Sequence, residues 1–291
     1  MRVDWRTLAL LLVVAAAEAR GQSSADGPVL GARALRQGAS LKIWVDGGRL
    51  RLIAWDRDSI LVRGHAGRGE RFVFGGDSNG MKFGTEARAG NGPIGRSEIA
   101  AWIPRRSTVS VKSVAAAVES AGVSGWFYSV SGAIHLSGRA TSIEAESMNG
   151  SLDLDVSTPW LRARTGDGRL LLRGAPEDVD VSTISGTLDV TATTVRRGQF
   201  GSVSGDIRYA GSPVAGGIVE FSSHSGNVEL ILPSDASAEF ALTSISGSIE
   251  NGVTRAQPIA ASPRSLRLML GRGGSQVTVR TFKGAIRLRV R

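Results

Sequence analysis

Apolar residues alternate with polar ones over short stretches along almost the whole chain, and glycine interrupts the alternation at regular intervals. Leu41, Ile43 and Val45, then Leu50, Leu52 and Ile53 after the turn Asp46-Gly47-Gly48, approximate the period of two that turns one face of a strand inward. The segments 59–63, 71–74, 81–83 and 98–103 read as further strands between glycine-rich turns, and Pro104 ends the last of them. From Ser113, where Ser113-Val114-Ala115-Ala116-Ala117-Val118 is a degenerate first copy, the pattern becomes a repeat. A phrase of the form Ser-Gly-x-aliphatic-x-aliphatic, with Asn or Asp sometimes replacing Ser, returns at Gly132, Gly150, Gly168, Gly186, Gly205, Gly226 and Gly247. The spacings are 18, 18, 18, 19, 21 and 21 residues. It recurs at Gly284, 37 residues later, as expected of one coil that carries an insertion in about 251–270.

Periods near 20 with strand-like content predict a stack of β-coils, each burying its apolar face only against its neighbours. The fold class expected is therefore all-β, a parallel β-helix or solenoid of about 18–21 residues per coil. It would occupy 113–291, with 39–112 as a β-rich N-terminal cap shielding the edge of the stack. The inward residues should be Ile134 and Leu136, Leu152 and Leu154, Leu170 and Leu172, Leu188 and Val190, Ile207 and Tyr209, Val228 and Leu230, and Ile286 and Leu288. Each coil should hold two short strands, as from Gly168, where 169–173 and 179–184 flank a turn at Ala175-Pro176-Glu177-Asp178. The repeated glycine is expected to take φ > 0 at a corner, with the preceding Ser or Asn bonding the local backbone.

Composition changes the picture in two ways. The 291 residues include 38 Gly and no Cys, which removes disulfides, thiolate metal sites and thiol nucleophiles together. Arg2 and Arg6, the apolar run Leu8 to Ala17 and the small-x-small triplet Ala17-Glu18-Ala19 have the form of a secretory signal over residues 1–19. The apolar run is too short to span a bilayer. An exported product is expected, periplasmic, outer-surface or extracellular, with 20–38 as a flexible lead-in.

Val45-Asp46-Gly47-Gly48-Arg49-Leu50-Arg51-Leu52-Ile53-Ala54-Trp55-Asp56-Arg57-Asp58, the central Trp102-Ile103-Pro104 and the Ser-Val-Ser-Gly and Ser-Ile-Ser-Gly phrases carry a resemblance over roughly 40–291. The chain resembles the bacterial adhesin-like β-strand-repeat family of uncharacterised function, which is related to an auto-transporter adhesin head domain. That resemblance implies an exported right-handed solenoid and a role in adhesion. It brings no catalytic residues with it.

Candidate chemistry is sparse. His65, His135 and His224 have no metal-ligand spacing, and no nucleophile elbow, phosphate loop or dinucleotide fingerprint is present, so neither cofactor nor metal is expected. Asn149, Asp167, Asp153 and Asp155 offer oxygen ligands, but calcium-binding coils repeat an acidic ligand every turn and this chain does not. Left-handed acyltransferase coils place a small aliphatic residue every sixth position, a rule that Ile134, Ala140, Glu146 and Leu152 break. Asp153, Asp155, Asp189, Asp206, Glu229 and Glu250 would be the acids of a carbohydrate-active β-helix. They lie among Arg169, Arg173 and Arg208, as on a solvated outer face, so no catalytic residue is assigned.

Charge is more pointed. Residues 251–291 contain nine cations and no acid, equal to the net +9 of the whole chain. Arg264, Arg267, Arg272, Arg280, Lys283, Arg287, Arg289 and Arg291 are the candidate anion-binding residues. In the last strand Arg287, Arg289 and Arg291 alternate with Leu288 and Val290 and so share one face. Such a face suits acidic glycan, lipopolysaccharide or an anionic membrane surface, or it protects the open edge of a terminal coil. Nucleic acid is not expected, because Phe282 is the single aromatic near these cations and export would prevent access. The function expected is a non-enzymatic binding or scaffold role on a solenoid face. A structural or signalling accessory acting through a protein partner is the first alternative and the carbohydrate-active enzyme the second.

Overall fold

The structure, a computed structural model, describes residues 27–87, 95–192 and 195–291. The expected signal, residues 1–19, and the first part of the lead-in lie outside the described residues. The described residues are all-β. The N-terminal end comprises β1 (Val29–Ala34), β2 (Ser40–Trp44), β3 (Gly48–Trp55), β4 (Ser59–His65), β5 (Glu70–Gly76), β6 (Gly80–Ala87) and β7 (Ser97–Pro104). The interior comprises β8 (Thr108–Ser113), β9 (Ala117–Ala121), β10 (Ser124–Ser129), β11 (Ile134–Arg139), β12 (Ile143–Ser147), β13 (Leu152–Thr165), β14 (Leu170–Thr183), β15 (Leu188–Ala192), β16 (Arg197–Ser202), β17 (Ile207–Ala210), β18 (Ile218–Ser223) and β19 (Val228–Leu232). The C-terminal end comprises β20 (Ala238–Ser244), β21 (Ile249–Asn251), β22 (Gln257–Ser262), β23 (Ser265–Leu270), β24 (Gln276–Thr281) and β25 (Ile286–Val290).

Two parallel ladders run the length of the stack. The first joins β9, β11, β13, β14, β15, β17 and β19. The second joins β8, β10, β12, β13, β14, β16 and β18. Every inward residue expected after a repeat glycine is buried, and these residues belong to one continuous core. Phe200, Tyr209 and Phe221 meet there with centroids 5.1 to 5.8 Å apart, aromatics of one ladder against those of the other.

The expected turn at Ala175-Pro176-Glu177-Asp178 is absent. Instead β14 runs unbroken from one ladder into the other, in register with β13, so that Ser157 faces Ala175 and Thr158 faces Pro176. Gly174, at φ 99°, absorbs the bend, a conformation that costs glycine little.

The corner glycines also act differently from expectation. None of Gly132, Gly150, Gly168, Gly186, Gly205, Gly226, Gly247 and Gly284 has positive φ. Close packing is the reason for glycine: a Cβ on Gly150 would overlap the carbonyl oxygen of Gly132, one on Gly168 that of Gly150, and so on up the column. Where a hydroxyl accepts from the corner glycine's N–H, it comes from three residues earlier in the chain. Ser129, Ser147 and Ser244 Oγ accept from the N–H of Gly132, Gly150 and Gly247 at 2.8, 2.8 and 3.0 Å. The serine immediately before the glycine reaches to the neighbouring coil, as where Ser131 Oγ donates to Val114 O at 3.1 Å.

At both ends the spatial order departs from chain order. The glycine column runs Gly226, Gly284, Gly247, because a Cβ on Gly284 would meet Gly226 O and one on Gly247 would meet Gly284 O. Accordingly β24 lies between β18 and β20, and β25 between β19 and β21. The coil formed by the last residues is thus not the terminal one. The terminal coil is β20–β21, and the segment between it and β24 contains the antiparallel hairpin β22–β23, whose second strand covers the edge of β20. At the other end β2 and β3 pair inward with β8 and β9 and outward with β6 and β7. There β5 covers β6, β4 covers β7, and β1 covers β4, all antiparallel. Residues 29–34, within the expected lead-in, are therefore a paired strand.

Candidate functional site

Outward residues of the two ladders form rows along the stack, since parallel in-register strands place equivalent side chains about 4.8 Å apart. On the first ladder these rows are ionic. Asp153 pairs with Arg173 at 2.7 Å, Asp189 with Arg169 at 2.8 Å, and Glu229 lies 3.8 Å from Arg208 and 3.2 Å from Arg289. Arg287 pairs with Glu250 at 3.1 Å. Two of the arginines expected to form a basic face are therefore matched by acids of adjacent coils, and as β25 is flanked on both sides they protect no open edge. On the second ladder Arg267 pairs with Glu239 at 2.7 Å. Arg264, Arg272, Arg280, Lys283 and Arg291 are the expected anion-binding residues that have no acidic partner among the described residues, and they are distributed around the C-terminal end rather than along one strand.

Four of the candidate acids are structural counter-charges. Asp153, Asp189, Glu229 and Glu250 face arginines, Asp206 accepts from the backbone N–H of Asn227 at 2.8 Å, and Asp167 accepts from Ser185 Oγ at 2.6 Å. Among the described residues, no group of three or more His, Asp or Glu could hold a metal ion. Arg197, hydrogen-bonded to Asp178, holds that carboxyl below its usual range.

One feature escaped the sequence reading although its signal was visible in every Ser-x-Ser-Gly phrase. The residue between the buried Ser or Thr and the serine before the glycine points outward and is usually apolar. Met148, Ile184, Val203, Phe282 and Ile245, in spatial order, are exposed at 45–58% on a single corner, with Gly166 between the first two. In the slot between Val203 and Phe282 stands His224, whose ring stacks on that of Phe282 at 5.0 Å and 6°.

Beside this ridge, on the outer face of the second ladder, lies a groove. The row through β13, β14, β16, β18, β24 and β20 reads Arg164, Ser182, Gly201, Ser222, Arg280 and Thr243, so three small residues in register lie between two arginines. One wall is the ridge of Ile184, Val203, His224 and Phe282; the other is Asp180, Gln199 and Glu220, two residues earlier on the same strands. The groove holds two adjoining depressions of about 400 and 260 Å³, which share Ser222 and Arg280. Arg164 is engaged with Asp180 at 3.5 Å, whereas Arg280 is exposed with no acidic partner recorded. Ser202 and Ser223 Oγ beneath the wall are buried without a hydrogen-bond partner, unlike the corner hydroxyls of Ser129 and Ser147.

The groove gives a ligand an apolar wall, a hydroxyl-bearing floor, a polar wall of amide and carboxylates, and one available guanidinium. Of the residues expected from sequence to bind anions, the structure brings Arg280 into this concavity, with Lys283 beyond the adjacent corner; the others lie elsewhere.

Two solved structures are similar to this chain. One is a proposed cell-adhesion protein from Clostridium sporogenes ATCC 15579, 9% identical, covering 90% of this chain and 98% of that one, with a TM-score of 0.25. The other is a proposed adhesin from Bacteroides fragilis NCTC 9343, 9% identical, covering 90% and 97%, with a TM-score of 0.43. No curated protein matches the chain. Residues 62–289 match the family model described as Toastrack DUF4097. With most of its length inside that match, and with two parallel ladders built on one repeated glycine phrase, the chain belongs to the Toastrack DUF4097 family.

Proposed function

We propose that this protein is a non-enzymatic, exported, adhesin-like binding protein that holds an anionic group of a surface polymer in the groove beside the corner ridge. The observation that carries this reading is Arg280, an exposed cation common to both depressions and in line with the floor residues Ser182, Gly201 and Ser222. An unneutralised guanidinium beside hydroxyls is a bidentate donor for carboxylate, sulfate or phosphate. The pairing of Arg287 and Arg289 with acids argues for the groove over the face of β25. The pairing of Asp153, Asp189, Glu229 and Glu250 with arginines supports a binding rather than a catalytic role. The signal-like N-terminal sequence supports action outside the cytoplasm.

Gly201 offers a direct test, because a Cβ there would meet Ser182 Cβ and Ser222 Oγ at 3.6 Å, ordinary contact distances. Gly201→Tyr should fill the groove while leaving the fold intact. Residues 20–291 are assayed against lipopolysaccharide, acidic polysaccharide and anionic vesicles at low and high salt. Gly201→Tyr and Arg280→Ser should each weaken salt-sensitive binding about tenfold, and the pair Arg287→Ser/Arg289→Ser should leave it unchanged. The opposite ranking would return recognition to β25. Absence of binding to every anion would remove the proposal.

A further inference from the structure

On the same outer face as the groove, but toward the N-terminal part of the second ladder, stands a different cluster. The protein has four lysines, and three of them, Lys42, Lys82 and Lys112, lie on the adjacent strands β2, β6 and β8. Two in-register rows define the patch. One reads Lys82, Lys42, Ser110, Trp126 and Glu144; the other reads Gly84, Trp44, Lys112, Tyr128 and Glu146. All three lysines are exposed and none has an acidic partner recorded, while Trp44, Trp126 and Tyr128 are half-buried.

The rings are held in place. Trp126 and Tyr128 stack at 5.7 Å and 19°, and Lys112 Nζ lies 5.6 Å from the Trp126 ring centroid. A Cβ on Gly84 would lie 2.5 to 2.7 Å from the fused-ring carbons of Trp44, so the absence of a side chain there is what lets the indole settle over β6. These contacts restrict the rings before any ligand arrives, which lowers the ordering cost of binding.

We infer that this patch is a second binding site and that its ligand is an acidic saccharide. Aromatic faces take the apolar C–H face of a sugar ring, and ammonium groups standing between them take its carboxylate or sulfate. Trp44 and Tyr128 are register partners of Lys112 on either side, so their backbones stand about 9.6 Å apart, and the Lys112 ammonium lies against the Trp126 ring. An uncharged glycan would leave three ammonium groups unmatched. A bilayer would need rings that project outward, and here Trp44 lies along the sheet. The lysines and rings lie on β6, β2, β8 and β10, and β12, β13, β14 and β16 stand between them and the strands that carry Ser222 and Arg280, so the two sites share a face but not their cations.

Residues 20–291 are titrated with polygalacturonate, neutral dextran and phosphatidylglycerol vesicles, at low and high salt. Polygalacturonate should bind and dextran should not. Lys42→Gln/Lys112→Gln should weaken binding about tenfold and reduce its salt dependence. Trp126→Ser/Tyr128→Ser should also weaken it about tenfold, with the salt dependence retained. Should the aromatic variant melt earlier, the exposed lysine pair still decides the matter. Arg280→Ser should leave this patch's contribution intact, which separates failure here from failure of the groove. Unchanged affinity in the lysine variant, equal binding of dextran, preference for vesicles, or no binding of polygalacturonate would each overturn the assignment.

Discussion

The interior of the stack and its two ends use the same coil but assemble it by different rules. From β9 to β19 each strand pairs with the equivalent strand one repeat away, so chain order is spatial order. At each end the chain skips a slot. The N-terminal coil β2–β3 is covered by β6–β7 before β8 and β9 return to its inner side. The C-terminal path is the same read in reverse, with β20–β21 outermost and β24–β25 filling the gap inside it. In both cases antiparallel strands lie in the connection, β4 and β5 at one end and β22 and β23 at the other. Interleaving makes the outermost coil depend on a segment remote in sequence, and antiparallel cover blunts edges that would otherwise invite pairing with another chain.

The strongest way to break this contrast is to remove residues 276–291. That deletion takes away the buried Val277, Val279, Ile286 and Leu288 and opens a slot on both ladders. β20 to β23 should become protease-sensitive while β9 to β17 stay protected, as read by limited proteolysis with mass spectrometry. Simultaneous loss of all protection would mean that the ends and the interior unfold as one unit.

Next in size is the glycine column. Gly186→Ala in the interior would drive a Cβ into Gly168 O and should cost about 3 kcal/mol. Gly38→Ala, at φ 83° with nothing within 4 Å of the new carbon, should cost about 1 kcal/mol. Urea denaturation of the two variants orders them; a smaller effect at Gly186 would refute close approach as the reason for the repeat.

Smaller still is Tyr209→Phe. The Tyr209 hydroxyl is buried with no partner, and burial pushes its pKa up. Removing it relieves an unsatisfied polar group and should stabilise by about 1 kcal/mol, seen as a higher Tm. A lower Tm would show that the hydroxyl is satisfied in solution.

The smallest effect concerns pH and takes opposite signs in the two regions. In the interior, Arg197 lowers the pKa of Asp178, so that pair stabilises above the usual carboxylate range and its contribution is lost as pH falls. At the N-terminal end, burial and then Glu70 raise the pKa of Asp46, so its contribution is present at low pH and lost as pH rises. Asp178→Asn should flatten the acid limb of a stability–pH curve and Asp46→Asn should steepen it. Equal slopes in both would argue that neither environment persists in solution.

The sequence was most legible where its information is local. Alternation placed Leu152, Leu170, Leu188 and their equivalents inward, because side chains on a strand alternate whatever the neighbours are. The strands around 59–63, 71–74, 81–83 and 98–103 were visible for the same reason. Less legible was the candidate site. Arg280 was named from charge alone, but the groove arises where Ser182, Gly201 and Ser222 fall side by side, and those residues are about 20 apart in the chain. The lysine and aromatic patch likewise joins residues from 42 to 128, several of them across the interleaved end.

By itself, then, the sequence determined the all-β class, the coil length, the inward set and the corner glycines. Tertiary structure decided the order of the end coils, the reason for those glycines and the neutralisation of Arg287 and Arg289. Every coil carries nearly the same phrase, so a parallel strand can pair with any other coil in the same register. Which neighbour it takes is fixed by how the intervening chain folds back and what it covers, and that is a property of the whole stack.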